Sequence, residues 1–200
     1  CRCVRKVRTY HSVRIPCHGR DGRKWRAQAK VIPIWGGADM IASTFTVLKP
    51  GPHTTVQDCG RKGYMAWGVP EYGAADGFSL RAANLLVGNP ETSAALEITL
   101  GGFKAKFASA AVVALFGGSC PATLDGRPIK AGEALRAEPG AVLDVGMIIK
   151  GARVYLAVRG GVDVPRILGS RCTYLKAGLG GYAGRALRAG DELMCGPSEE

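Results

Sequence analysis

From Met40 onward, short apolar runs alternate with clusters of turn residues along the chain. The runs are rich in β-branched or aromatic side chains, as strands are. They read TFTVL, LEITL, AVVALF, AVLDV and RVYLAV. ATLDGRPI adds a hairpin signal, because Asp125-Gly126 separates two short runs. This pattern predicts a barrel or a sandwich of short strands.

One segment, DGFSLRAANLLVGNP, has a firm helical pattern. Asp76 is placed to cap the first backbone amides, and Gly88 followed by Pro90 ends the segment. The apolar positions between them follow helical spacing: Phe78, Ala82, Leu85 and Leu86. We therefore predict a helix near residues 77–87 in a fold that is otherwise mainly β.

The composition is that of a folded domain. The 200 residues are 46% apolar, which is enough to fill the core of one domain or of two small ones. No apolar run is long enough to span a membrane, and the opening lacks the apolar stretch of a secretory signal. The seven cysteines are an odd number without regular spacing, which favours reduced thiols. We predict a cytoplasmic protein with no membrane partner and no structural disulfide.

The basic residues are concentrated before Met40. The chain carries a formal net charge of +11, and residues 1–39 contain ten Lys or Arg but only two Asp. A basic arm would suit nucleic-acid phosphates, but this leader shows no sustained helical or strand period and no nucleic-acid module pattern. We interpret it as an unstructured leader, or as the product of a translation start assigned upstream of Met40. We predict a domain at residues 40–195, a tail at 196–200, and no nucleic-acid partner.

The leader also contains the residue types of a four-ligand zinc site: Cys1, Cys3, Cys17 and His18. Structural zinc sites usually offer paired ligands two to four residues apart, whereas the second pair here is adjacent in sequence. We therefore predict no metal site.

Common nucleotide-binding and nucleophile motifs are missing from the sequence. There is no Gly-Lys pair for a phosphate-binding loop. In GLGGYAG, residues 178–184, Ala183 stands where a dinucleotide fingerprint needs glycine, so we interpret this segment as a flexible turn. His53 is the only histidine after the leader and has no nucleophile elbow to pair with, so we interpret it as a loop residue.

Residues 50–77, PGPHTTVQDCGRKGYMAWGVPEYGAADG, place many Gly and Pro turn-formers around few charges. This stretch and several later segments resemble, in order, the KipA-like proteins. That family includes the second subunit of allophanate hydrolase and the C-type subunit of 5-oxoprolinase, and the carboxyltransferase domain of urea carboxylase is a relative. The resemblance covers residues 45–193, and its segments read VLKPGPHTTVQDCGRKGY, GVPEYGAADGFSLRAANLLVGNPE, ALEITLGG, ATLDGRPI and YLAVRGGVDVPRILGSRCTYLKAGLGGYAGRALRAGDEL.

The resemblance implies a fold of two cyclophilin-like β-barrel halves with the functional cleft between them. Only the N-terminal half is matched here, because family members continue well past the position of GDEL. The chain also departs from the family at Cys59, where Leu is usual, and at residues 71–76, where family members commonly read Pro-Ser-Gly-Ala-Met-Asp. We therefore do not expect Cys59 to be catalytic, and we expect this chain to be a truncated subunit that is inactive alone.

The family reactions occur at an amide-like carbon and pass through a charged oxygen, which preorganised donors stabilise. Arg61 would hold an anionic group through its planar guanidinium, and Gln57 offers both a donor and an acceptor. Asp58 and Asp76 would orient donors, position water or help to hold magnesium. Alternatively, Asp76 only caps the helix and Asp58 bonds to its own turn amides. The predicted catalytic residues are Gln57, Asp58, Arg61 and Asp76.

A second group of residues is predicted to bind the substrate. Arg171 lies in a Gly-rich turn that lets a ligand approach closely, and LGSRCTY adds neighbouring polar groups. Glu97 lies between apolar neighbours in a predicted strand, where a glutamate is usually solvated unless its face lines a cleft. The predicted substrate-binding residues are Glu97, Ser170, Arg171 and Tyr174.

The resemblance leaves three function classes open. The leading hypothesis is one subunit of an ATP-dependent 5-oxoprolinase, which converts 5-oxo-L-proline, ATP and water to L-glutamate, ADP and phosphate together with A-type and B-type (KipI-like) subunits. ATP with magnesium would then be bound mainly by a partner subunit. The second is a biotin-dependent carboxyltransferase, with biotin carried elsewhere because no Met-Lys-Met attachment pattern occurs. The third is a non-enzymatic regulator that pairs with a kinase-inhibitor-type subunit.

Overall fold

The computed structural model describes residues 11–18, 24–31 and 42–196, the first two ranges by their backbone pairing alone. Within these ranges, one α-helix, α1 (Gly77–Leu86), and two short 3₁₀ turns, Met65–Trp67 and Leu175–Ala177, accompany the strands. The strands are β1 (His11–His18), β2 (Lys24–Val31), β3 (Ser43–Pro50), β4 (His53–Gln57), β5 (Ala95–Thr99), β6 (Gly101–Phe107), β7 (Ala111–Ser119), β8 (Ala122–Leu124), β9 (Arg127–Pro128), β10 (Ala134–Ala137), β11 (Val142–Met147), β12 (Lys150–Val158), β13 (Val162–Asp163) and β14 (Glu192–Cys195).

Two antiparallel sheets enclose the main core. One has five strands in the order β10-β7-β12-β5-β4, and the other has seven in the order β13-β14-β3-β6-β11-β8-β9. Alternate side chains of each sheet point inward, as the period of a strand requires. The buried cluster between the sheets includes Phe45, Phe103, Leu143, Leu96 and Leu156. The mainly β fold class predicted from the sequence is confirmed.

Helix α1 covers the outer face of the five-stranded sheet. Leu80 and Leu86 of the helix pack in a second buried cluster with Tyr155 and Ala157 of β12. Strand β12 is therefore buried on both faces, with Val154 turned toward the main core. The Asp76 side chain accepts a hydrogen bond from the backbone N–H of Ser79. The predicted helix and its N-cap are confirmed.

The Asp125-Gly126 hairpin is also confirmed. These two residues connect β8 to β9, with Leu124 paired to Arg127. Their φ angles are 50° and 74°, the left-handed pair of a type I′ turn. Aspartate and glycine accept this conformation more readily than other residues, which explains why the dipeptide is informative in a sequence.

The leader contains a β-hairpin, which corrects the expectation that it has no strand period. Strands β1 and β2 pair antiparallel from His11 opposite Val31 to His18 opposite Lys24. The sequence does alternate there, most clearly in WRAQAKV, and this short alternation is the signal of the hairpin.

The zinc hypothesis falls on Cys1 and Cys3, which lie outside the described residues. The domain boundaries, and the interpretation of the first 39 residues as a leader outside the domain, stay predictions.

No helix within the described ranges is both long enough and apolar enough to cross a membrane.

Candidate functional site

A groove of about 610 Å³ opens where three loops meet near one end of the five-stranded sheet. The first loop, residues 58–64, follows β4; the second, 90–94, precedes β5; and the third, 160–171, follows β12. The groove is lined by residues of both charges and by apolar side chains, which is a mixture typical of small-molecule sites. We therefore take it as the candidate site.

Asp58 lines this groove and joins two of its loops. Its Oδ1 accepts hydrogen bonds from the Gly60 N–H at 2.8 Å and from the Ser170 hydroxyl at 2.7 Å. Its Oδ2 accepts a bond of 2.6 Å from the Arg171 N–H. The bond to Gly60 is the turn interaction expected as an alternative, but the other two bonds reach across the fold. Asp58 is therefore a hydrogen-bond acceptor that ties the loop after β4 to the loop that carries Arg171.

Arg171 supplies a positive charge to the groove from a fixed position. Its Nε donates to the Val164 carbonyl at 2.8 Å, and its Nη2 donates to Asp163 Oδ1 at 3.0 Å. These two bonds hold the guanidinium plane while leaving the side chain partly exposed. Lys62 lines the same groove and is exposed. The arrangement could bind a carboxylate or another small anion.

Arg61 lies behind the groove rather than in it. The side chain is 1% exposed, and its Nη2 donates to the Cys172 carbonyl at 2.7 Å. Among the described residues, Nε and Nη1 have no hydrogen-bond partner. A Cβ on Gly180 would overlap the Cys172 carbonyl oxygen and lie 2.7 Å from Arg61 Nη2. The GLGGYAG segment, interpreted from the sequence as flexible, is thus packed closely against Arg61.

Gln57 is buried at the end of β4, beside Thr173. Its Nε2 donates to Thr55 Oγ1 at 3.0 Å and to the Thr173 carbonyl at 3.3 Å. Within the described part of the chain its Oε1 has no partner. Gln57, Asp58 and Arg61, predicted from one short motif, therefore all hold residues 170–173 in place.

Asp76 lies away from the groove and caps helix α1. Its Oδ1 accepts from the Ser79 N–H at 3.1 Å, and its Oδ2 accepts from the Ser79 hydroxyl at 2.6 Å. The side chain is not among the groove residues. The geometry is that of the alternative interpretation, a helix cap, and a catalytic role for Asp76 stays a prediction.

Glu97 is buried in β5, whereas a solvated glutamate was the ordinary expectation for this strand. Its carboxylate accepts hydrogen bonds from the Tyr155 hydroxyl at 2.6 Å, the Ala75 N–H at 2.8 Å and Arg153 Nε at 3.2 Å. Burial, and then the bond to Glu97, raise the pKa of Tyr155 well above its usual value. Glu97 thereby supports the backbone just before helix α1, and it does not line the groove.

Tyr174 also lies outside the groove lining. Its ring stacks at a tilt on Tyr72, with 4.7 Å between the ring centroids. Of the eight predicted site residues, Asp58 and Arg171 line the groove, and Ser170, Gln57 and Arg61 support it from behind. Whether any of the eight takes part in catalysis or substrate binding stays a prediction.

The sequence reasoning missed several groove residues. Lys62, Tyr64, Arg166 and Leu168 all line it. Each lies in a quoted segment, GRKGY or VPRILGS, but no charge or spacing pattern distinguishes it from its neighbours. Only the folded arrangement of the three loops identifies them.

The groove thiol has no sign of activation. Burial, and then the negative charge of Asp58, raise the pKa of Cys59 above its ordinary value. Cationic neighbours do not reverse this direction, so Cys59 is protonated at neutral pH. Cys59, Cys120, Cys172 and Cys195 are all free thiols.

The described residues include no group of three or more His, Cys, Asp or Glu side chains that could hold a metal ion.

Comparison with known proteins gives one family and a consistent set of relatives. Residues 67–200 match the model of the carboxyltransferase domain, subdomain A and B. The chain is 44% identical over 153 residues to the C-type subunit of 5-oxoprolinase from Escherichia coli, a match that covers 76% of this chain. It is 43% identical over 162 residues to urea amidolyase of Lachancea kluyveri, a match that covers 80% of this chain. The solved urea carboxylase of Kluyveromyces lactis superposes with a TM-score of 0.74 at 47% identity over 75% of this chain.

This chain spans only part of each of these proteins. It covers 49% of the Escherichia coli protein, 9% of the Lachancea enzyme and 13% of the Kluyveromyces structure.

Proposed function

Because this chain belongs to the carboxyltransferase domain family, subdomains A and B, we propose that it acts as the C-type subunit of a 5-oxoprolinase. In this role it contributes to the ATP-dependent conversion of 5-oxo-L-proline and water to L-glutamate, ADP and phosphate. The chain spans about half of the Escherichia coli protein it resembles, so the activity belongs to an assembly that also contains the remaining half and the A-type and B-type subunits.

The observation that supports this proposal most directly is the fixed charge arrangement in the groove. The substrate is a ring amide with a carboxylate, and hydrolysis of its amide carbon develops negative charge on oxygen. Arg171, held by Val164 and Asp163, is a preorganised partner for such an anion. Asp58, bonded to Ser170, Gly60 and the Arg171 N–H, holds the loop that presents Arg171 to the groove.

ATP and magnesium fit poorly in this chain, so we assign them to the partner subunits. The sequence has no phosphate-binding loop, and the groove offers two carboxylates, Asp58 and Asp163, that are already bonded to chain groups. In this scheme the chain positions the ring amide and the partners supply the nucleotide.

A second candidate is carboxyl transfer of the urea carboxylase type. It is favoured by the identity of 47% to the Kluyveromyces urea carboxylase and of 43% to the Lachancea urea amidolyase. Urea also presents an amide-like carbonyl, so the same fixed donors would suit it. Biotin would have to be carried by another domain.

Product analysis of two hybrids separates these candidates. Residues 40–195 replace the matching half of the Escherichia coli protein in one hybrid, and the matching region of the Kluyveromyces urea carboxylase in the other. We expect the first hybrid, with its A-type and B-type partners, to release glutamate and ADP from 5-oxo-L-proline and ATP. Biotin-dependent incorporation of labelled bicarbonate by the second hybrid alone would favour carboxyl transfer. Activity in neither would contradict both enzymatic roles and favour the regulator.

A further inference from the structure

Leu168 adopts a backbone conformation that leucine disfavours. Leu168 and Gly169 have φ angles of 52° and 76° and form the two-residue turn of a tight hairpin between Ile167 and Ser170. Such turns favour asparagine, aspartate or glycine at the first central position, because a branched side chain is crowded there. In the hairpin between β8 and β9, that position is Asp125.

Core packing does not account for this leucine. The side chain is 37% exposed, and it belongs to neither of the two buried clusters. Leu168 instead lines the groove. A strained residue whose side chain faces a binding groove suggests a functional reason for the strain.

The turn is anchored firmly on its C-terminal side. Ser170 and Arg171, the next residues after it, both bond to Asp58 at 2.7 and 2.6 Å. On its N-terminal side, the Ile167 N–H donates to the Ser170 carbonyl at 2.8 Å. Leu168 is thereby held in the groove that Arg171 also lines.

We propose that Leu168 is a specificity-determining residue, which packs against the methylene groups of a substrate whose carboxylate is held by Arg171. This inference rests on the proposed function and deepens it. The ring of 5-oxo-L-proline has two adjacent methylene groups and a carboxylate, whereas urea has neither. An apolar wall beside a fixed cation therefore selects the ring amide over urea.

The test compares Leu168→Asn with a matched control, Leu100→Asn. Leu100 also has a left-handed φ, 62°, and is 49% exposed, but it does not line the groove. Asparagine accepts this conformation better than leucine, so we expect the Tm of both variants to equal or exceed that of the parent chain. Loss of binding in Leu168→Asn then cannot be attributed to unfolding.

The measurement is the Kd of the purified 200-residue chain for 5-oxo-L-proline, by calorimetry or ligand-observed NMR, with 2-pyrrolidinone as a ring probe that lacks the carboxylate. We expect Leu168→Asn to weaken binding of both probes about tenfold, and Leu100→Asn to leave both Kd values unchanged. Equal affinity of Leu168→Asn and the parent chain would overturn the role of Leu168 while leaving the proposed function intact. Equal weakening by Leu100→Asn would also overturn it. Failure of the parent chain to bind 5-oxo-L-proline would contradict the proposed function, and this inference with it.

Discussion

The Ser170 hydroxyl donates a 2.7 Å hydrogen bond to Asp58 Oδ1 across 112 residues of sequence. This bond joins the turn after β4 to the turn before Arg171, and it supports the groove from behind. The Arg171 N–H completes the connection at Asp58 Oδ2. The shape of the site thus depends on one carboxylate with partners on both loops.

Asp58→Asn is the direct test of this connection. The amide group replaces one acceptor oxygen by a donor, so at least one of the three N–H or O–H groups that bond to Asp58 loses its partner. We expect the free energy of unfolding to fall by about 1 to 3 kcal/mol, measured by urea denaturation. Ser170→Ala removes the hydroxyl and also leaves the Cys172 N–H without its acceptor, so we expect a similar cost of about 1 to 3 kcal/mol. Parent-like stability of Asp58→Asn would show that the connection does not hold the loops.

The second prediction concerns Arg61, for which the sequence and the structure lead to different expected effects of substitution. The sequence alone suggests that Arg61→Lys lowers activity and leaves Tm nearly unchanged. Since the guanidinium is 1% exposed and bonds to the Cys172 carbonyl, we expect Arg61→Lys to lower stability by about 1 to 3 kcal/mol. Arg61→Met, which removes a buried charge, should cost less than Arg61→Lys.

Thermal melts of these two variants, with and without 5-oxo-L-proline, separate the possibilities for Arg61. A parent-like Tm in Arg61→Lys together with lost binding would favour the interpretation from sequence, that Arg61 holds an anion.

Gly180 is expected to be intolerant of a side chain. A Cβ there would overlap the Cys172 carbonyl oxygen, and the φ of 71° is unfavourable for alanine. We expect Gly180→Ala to lower the free energy of unfolding by about 2 to 4 kcal/mol. Gly63→Ala is the control, because Gly63 has a φ of 91° but no atom within 4 Å of the position a Cβ would take. Equal costs for the two variants would mean that backbone strain alone, and not close packing on Arg61, restricts Gly180.

A pH dependence is expected from Asp191. Hydrogen bonds from the Arg185 guanidinium at 2.7 and 2.8 Å lower the pKa of this carboxyl below its ordinary value of 3.8. The stabilisation of the fold by the Arg185–Asp191 pair is therefore complete above the ordinary pKa of aspartate. It is lost as the pH falls through the lower pKa that Asp191 has in the folded chain. The stability difference between the parent chain and Asp191→Asn should shrink between about pH 6 and about pH 2.5. The exposed pair Asp144 and Lys104 is the control, where Asp144→Asn should have little effect at either pH. If the stability difference between the parent chain and Asp191→Asn did not change with pH, ionised Asp191 would not be the source of this stabilisation.

Local patterns in the sequence predicted most of the fold. The apolar runs, the Asp76 cap and the Asp125-Gly126 turn each depend on neighbouring residues, so a single sequence contains their signals. The leader hairpin has such a signal too, in its alternating residues, although no sustained strand period was predicted there. The burial of Glu97 was harder to predict from the sequence, because it depends on the strand register that places Glu97 opposite Tyr155 in β12.

The candidate site could be predicted only in part, because it also depends on contacts between residues that are distant in the sequence. The motif around Gln57, Asp58 and Arg61 is visible in the sequence, since its turn residues and charges lie close together. Its partners lie more than a hundred residues away, and no local pattern pairs Asp58 with Ser170. The distinction between lining the groove and supporting it therefore needed the folded structure.

The central claim is that this groove serves 5-oxo-L-proline conversion within a larger assembly. The most direct measurement is glutamate formation from 5-oxo-L-proline and ATP by the hybrid protein with its A-type and B-type partners, beside the 200-residue chain alone. We predict steady glutamate and ADP release by the assembled hybrid and no release by the chain alone. The Arg171→Lys variant of the hybrid should lose at least roughly tenfold in the rate of glutamate release, with an unchanged Tm. Turnover by the chain alone above a mock purification, or full activity of the Arg171→Lys hybrid, would contradict the claim.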